Sequence, residues 1–323
     1  MKNSCLKDLL RYIRDNELIK KYFILFEKKL QLKDLINISD SDAKRIYCSS
    51  NERIALIKMY EIINKCFFPK NIVEYIINID SDEIFKYSIK ALKSNMNDDK
   101  KLKYIKAASS GYSNISSRYA FGLITDAKLK ENSEELIKMV AKAKDKVSLY
   151  LRNILFNESV AFDENIESYV KLIYLDNKDF HAKYATRLIE NDEIRKDENC
   201  KYYISAIMAG TGYVQTKCVY DYLLNEKCRN SNDSLIIALE IASAKEDYQA
   251  IRAKCYAMQD EAIGKKETVS KVCEIIKEEL NYKFEKETTV GELIEKNDLN
   301  ELLVSLSSVS KNENITEKTK VKI

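Results

Sequence analysis

Five stretches of the chain repeat one spacing of apolar residues, and that spacing admits few folds. Their anchors are Tyr104, Leu136, Tyr169, Tyr203 and Ile237, which stand 32, 33, 34 and 34 residues apart. Four positions after each anchor come Ala108, Val140, Ile173, Ile207 and Ile241. Eleven positions on come Ile115, Val147, Phe180, Val214 and Tyr248, and fifteen on come Tyr119, Leu151, Tyr184, Cys218 and Arg252. Nineteen on come Leu123, Leu155, Leu188, Tyr222 and Tyr256. Apolar positions at 0 and 4, and again at 11, 15 and 19, mark one face of each of two helices. Between them stand Gly111, Ala143, Asp176, Gly210 and Ala244, small or turn-prone residues that let one helix end and the next begin.

Such a pair cannot bury its stripe alone. Each copy offers a handful of large apolar side chains, worth about 1.5–3 kcal/mol apiece when buried. That offsets the entropy of ordering only when neighbours share the core. A period near 34 residues is typical of helix–turn–helix arrays. The expected fold is all-α: an α-solenoid of stacked antiparallel helix pairs. Arg252 stands in an apolar column and is expected to turn its guanidinium outward.

The stretch Tyr104–Gly111, YIKAASSG, followed by a second helix, resembles the Sel1-like repeat, a relative of the tetratricopeptide repeat. Tyr203–Gly210, YISAIMAG, is similar, and FHAKYA (Phe180–Ala185) and YQAIRA (Tyr248–Ala253) resemble the second helix of that motif. Tyr119-Ala120 stands where the family usually carries Leu-Gly, and a Gly-rich inter-repeat loop is absent, so Sel1-like and tetratricopeptide-like both stay open. The resemblance covers about 101–260. It implies a protein-interaction scaffold and not an enzyme.

The expected organisation is a helical N-terminal block (1–66), helical repeats (71–260), C-terminal capping helices (261–306) and a loose polar tail (307–323). Residues 1–20 read as an amphipathic helix on Leu6, Leu9, Leu10 and Ile13. Over Tyr22–Ile63, short helices are expected to end at Lys29, Ile38 and Tyr47, with Ser39 and Asp42 as an N-cap pair and a longer helix from Asn51. The order of these segments resembles a SAM domain, which implies self-association; the other reading is a plain extension of the repeats. Pro69 ends the helix running to Cys66. A divergent sixth copy follows on Ile72, Tyr75, Ile76, Ile84, Tyr87 and Leu92, and 94–101 reads as a solvated loop. Val269, Val272, Cys273 and Ile276, continued by Leu280, form a further stripe. Thr289 and Glu292 read as a capping box before Leu293, Leu299, Leu302 and Leu303.

One proline and six glycines in 323 residues exclude a β-sandwich and a Gly-rich phosphate loop. Gly210-x-Gly212 reads as a turn. The net charge of +3 gives no concentrated basic character. Eight cysteines without a C-x-x-C, and one histidine, make no common zinc pattern, so no metal and no cofactor is expected. The cysteines read as small buried apolar residues. His181 shares a column with Ser116, Ser148, Gln215 and Gln249 and reads as a surface or groove residue. The pairs Asp98-Asp99 and Glu134-Glu135 read as helix-start charges. No apolar run approaches the ~18 residues of a membrane span, and the N-terminus has no signal-peptide core. The expected location is cytoplasmic, with no membrane partner.

Two residues after the anchor stand Lys106, Lys138, Lys171, Ser205 and Leu239. The three lysines are expected to form a basic stripe on successive first helices, with Tyr174 and Tyr202 as neighbouring anchors. The expected function is a non-enzymatic scaffold or adaptor that binds a peptide or the flank of a larger assembly. The alternative is a nucleic-acid- or ribosome-associated factor, part of a large ribonucleoprotein assembly, that uses Lys-rich faces.

Overall fold

The protein is described by a computed structural model over residues 4–17, 38–49, 51–92, 94, 96–130 and 132–278. Among these there are nineteen α-helices and no strand. They fall into two compact units divided after Asn177. The expected helices ending at Lys29 and Ile38, which are the first part of the SAM-like block, together with Leu280, the Thr289–Leu303 segment and the 307–323 tail, lie outside the described residues.

In the first unit, α1 is Ser4–Asp15, α2 Asp40–Tyr47 and α3 Glu52–Asn64. Ser39 caps α2: its hydroxyl accepts the Asp42 amide at 3.2 Å and donates to the Asp42 carboxylate at 2.7 Å. Asn51 caps α3. That helix ends at Asn64, two residues before Cys66, and Lys65, with its left-handed φ of 50°, closes it. Pro69 then opens α4 (Lys70–Ile77), which pairs with α5 (Asp82–Leu92). Next come α6 (Asp98–Ser109), α7 (Asn114–Asp126), α8 (Glu134–Lys142), α9 (Asp145–Phe156), the single turn α10 (Glu158–Ala161) and α11 (Ile166–Asp176). The expected loop over 94–101 is shorter than its polarity suggests. Asn97 caps α6, which already includes 98–101, and Lys101 is buried.

The second unit holds α12 (Asp179–Glu190), α13 (Asp192–Arg195), α14 (Cys200–Met208), α15 (Tyr213–Leu224), α16 (Glu226–Arg229), α17 (Ser234–Ala242), α18 (Asp247–Ala257) and α19 (Glu267–Lys277).

From α5 onward, within each unit, the long helices pack on the next two long helices along the chain. α6 touches α7 and α8, α7 touches α8 and α9, and α8 touches α9 and α11. In the second unit α14 touches α15 and α17, α15 touches α17 and α18, and α17 touches α18 and α19. First helices therefore rest on first helices, and second on second. The 0 and +4 columns are buried in all five copies, and the +19 column in all but Tyr256. Arg252 is half-exposed and pairs with Glu278 at 2.8 Å, as its charge requires.

The +11 column departs from expectation. Ile115 is 47% exposed, and Phe180, Val214 and Tyr248 are half-buried. The buried position is the next one, the third residue of each second helix. In the second copy the turn is one residue shorter: α9 starts nine residues after Leu136, whereas α7 starts ten after Tyr104. Val147 thus takes the buried place that Ser116 takes in the first copy.

The connections back to the next first helix carry the single turns α10, α13 and α16. Asn157, Asn191 and Asn225 cap them, each accepting backbone amides within its own turn. The buried guanidiniums of Arg195 and Arg229 then donate to the carbonyls of Ile189 (2.9 Å) and Leu223 (3.0 Å), the last-turn acceptors that α12 and α15 leave open.

Gly111 and Gly210 close the first helices where the second crosses. A Cβ on Gly210 would lie 2.2 Å from Thr216 Oγ1 and 3.0 Å from the Thr216 backbone; on Gly111 it would lie 2.1 Å from Ser117 Oγ. Because part of the obstacle is backbone, Gly210→Ala should lower stability by about 1–3 kcal/mol. Urea denaturation should show a lower midpoint with an unchanged m-value.

Candidate functional site

The start of each second helix reaches toward the next hairpin's turn. His181, on α12, is completely buried, and its Nε2 donates to the Gly210 carbonyl at 2.9 Å. Gln249, on α18, donates to the Glu278 carbonyl at 2.9 Å, the equivalent place two repeats on. Arg53, on α3, donates to the Ile77 carbonyl at 3.0 Å and to that of Ile79. Backbone bonds run alongside: Tyr112 N–H to the Ala141 carbonyl (2.8 Å) and Thr211 N–H to that of Ala242 (3.1 Å). Lys144 N–H adds a bond to Asn177 Oδ1 at 3.0 Å.

His181 is therefore no groove residue. Ser116, Ser148, His181, Gln215 and Gln249 are all at most 5% exposed. His181 and Gln249 serve buried turn carbonyls, Ser116 closes a capping box with Ser113, and Gln215 reaches Asp247, whereas the buried Ser148 hydroxyl has no hydrogen-bond partner among the described residues. A catalytic use of the histidine would need a path to solvent that this burial denies.

The cysteines also divide differently from expectation. Cys200, Cys218 and Cys228 are buried, Cys48 is exposed, and the other four are intermediate; all are thiols. Burial pushes the Cys218 thiol up to about 12 and that of Cys228 to about 11. Among the described residues no group of acidic, cysteine or histidine side chains is arranged to hold a metal.

The expected lysine stripe lies on α6, α8 and α11, which pack in succession. Lys106 is exposed, with its ammonium 5.5 Å from the Tyr75 ring centre. Lys138 is engaged by Glu135 at 3.2 Å, which removes much of its reach toward a partner. Lys171 is exposed and Tyr174 half-buried. Tyr202 belongs to the second unit, on α14, where it is 59% exposed. Its neighbours are Ile236 (49%) and Leu239 (48%) on α17, the helix that packs on α14. Ile236 escaped the sequence reading because it precedes an apolar anchor and merges with the core run Leu235–Ala238. The column two residues after the anchor thus carries lysines in the first unit and Ser205 and Leu239 in the second.

No family model, curated protein or solved structure matches the chain.

Two checks follow from the buried groups. His181→Gln retains a donor for the Gly210 carbonyl and should hold stability within about 1 kcal/mol; His181→Leu strands that carbonyl and should cost about 1–3 kcal/mol in urea denaturation. A thiol reagent at pH 8 should label Cys48 in the native protein, while Cys218 and Cys228, buried and protonated, react only after unfolding. Peptide mapping of the labelled sites reads the difference.

Proposed function

We propose that the protein is a non-enzymatic helical-repeat scaffold, of the Sel1-like or tetratricopeptide-like kind, whose first helices bind a protein partner. The observation that carries this reading is the row Tyr202, Ile236 and Leu239. Scattered apolar residues on a surface are ordinary, but three large ones exposed on two helices that pack on each other mark a candidate docking face. Tyrosine is also a frequent interface anchor. Helical repeats present such rows on successive first helices without disturbing the core. The cytoplasm is the proposed setting; unpaired thiols are at home in a reducing compartment, and no described helix is long and apolar enough to cross a membrane.

The lysine stripe on α6, α8 and α11 supports the second reading, a nucleic-acid-associated factor. The two readings separate by salt: phosphate contacts weaken steeply as salt rises, and an apolar row does not.

The test compares the wild-type chain with Tyr202→Ser/Ile236→Ser/Leu239→Ser in affinity capture followed by mass spectrometry, with nuclease present. Proteins retained at 300 mM salt by the wild type should be lost with the triple variant, whose thermal unfolding should match the wild type. An unchanged set of captured proteins removes the reading. Lys106→Glu/Lys138→Glu/Lys171→Glu is the parallel test of the basic stripe. If the first helices act only through the apolar row, it leaves capture unchanged; if nucleic acid is the ligand, salt-sensitive binding to RNA disappears.

A further inference from the structure

A second chemical feature lies within the second unit, on its second helices. Tyr184 of α12 is 1% exposed, and its hydroxyl donates to the Tyr213 hydroxyl of α15 at 2.8 Å. Lys183 donates to the same oxygen at 3.4 Å. The Tyr213 oxygen therefore receives two hydrogen bonds, and its own O–H has no acceptor among the described residues. Tyr213 is 48% exposed, so that proton faces outward. The bond from Tyr184, with Lys183 close by, holds the Tyr213 phenol below its usual value. A phenol polarised this way is a strong donor to an anion.

The surrounding charge has the matching sign. Lys183 lies over the rings of both tyrosines, at 5.2 and 5.5 Å. Arg187, one turn further along α12, sits 5.8 Å from the Tyr184 ring centre and has no carboxylate partner among the described residues. Lys217 (3.0 Å) and Lys254 (3.2 Å) both reach the carboxylate of Asp221. Glu190 is the other acidic group facing the cluster. The Tyr220 ring, 5.0 Å from that of Tyr184, extends the aromatic floor.

We propose that Tyr213, Lys183 and Arg187 form a binding site for the carboxylates of an acidic peptide segment, with the exposed Tyr213 ring as its apolar contact. Charge complementarity names the occupant: two cations without carboxylate partners and one outward phenol proton fit carboxylates spaced along a chain. Nucleic acid fits less well, because Tyr184 is buried and Tyr213 is the one exposed ring of the pair, where single strands are held by a series of stacked bases. This surface is separate from the Tyr202 row and stands even if that row proves idle.

The test is fluorescence anisotropy of the full-length chain with a fluorescein-labelled decaglutamate peptide, a glycine–serine peptide of equal length and a decauridylate. Decaglutamate should bind and the glycine–serine peptide should not. Lys183→Gln/Arg187→Gln should weaken binding by about tenfold or more, and Tyr213→Phe, which keeps the ring and removes the donor, by about threefold. Lys265→Gln/Lys266→Gln, equal in charge change and exposed elsewhere, should leave it unchanged. Circular dichroism and melting confirm that each variant is folded. Absence of decaglutamate binding, equal loss in the two double variants, or tighter binding of decauridylate than of decaglutamate overturns the proposal.

Discussion

A donor at the start of one helix meeting a carbonyl at the turn of the next hairpin is the constraint on which the packing depends. The end of each first helix leaves carbonyls without intrahelical partners. Where another hairpin covers that turn, water is excluded, and an unpaired carbonyl there costs about 1–3 kcal/mol. His181, Gln249 and Arg53 each supply the missing donor from a different side chain. The bond has a fixed length, so it also sets the offset between neighbouring hairpins. Only at that offset do the anchor columns, such as Tyr203 against Ile237 on the packed helices α14 and α17, meet out of water. Apolar burial supplies most of the gross stabilisation; the polar column gives it a register.

This explains which parts of the architecture were legible from residues alone. The 0, +4 and +19 columns could be read because helical periodicity does not depend on what lies next door. The +11 column was misread because an apolar residue was equated with a buried one. Ile115 sits at the second position of its helix, where the side chain leans toward solvent, and the polar Ser116 beside it is the one enclosed. A column polar in every copy was visible, but that fact alone does not separate a solvated face from a row of buried donors. The distinguishing signal is chemical type: serine, glutamine and histidine recur there, and lysine and glutamate do not. Asn157, Asn191 and Asn225, spaced by 34 residues, likewise marked the capped single turns, in place of the Gly-rich loop that the family resemblance suggested.

The outer surfaces were legible only in part, for a different reason. A column two residues after the anchor must point away from the core, so the exposure of Lys106, Lys171 and Leu239 follows from spacing. Contacts between columns do not. Tyr184 reads as core and Tyr213 as the first residue after a turn, and their hydroxyls meet only because α12 and α15 pack in one particular register. Likewise Lys138 looks like a third member of a basic stripe until Glu135, one turn earlier on the same helix, is seen to hold it. Pairings of this kind depend on rotamers and neighbours, which periodicity does not encode.

Placing the ties at the turns also leaves the helix faces chemically unconstrained. A helix that had to supply hinge-like polar contacts along its length could not also carry Tyr202, Ile236 and Leu239 in a row. Here the carbonyl–donor bonds lie at the first-helix turn of several hairpins, and Asn-capped single turns close the other end of three, two of them with buried arginines. The middle of each first helix and the outer side of each second helix are then free to differ between copies without loss of fold. The first helices do differ, with lysines two residues after the anchor in one unit and Ser205 and Leu239 there in the other, and the second helices of the second unit carry the polarised tyrosine pair. Variation concentrated on faces that the packing does not use is the pattern expected where a repeated scaffold presents distinct surfaces to partners.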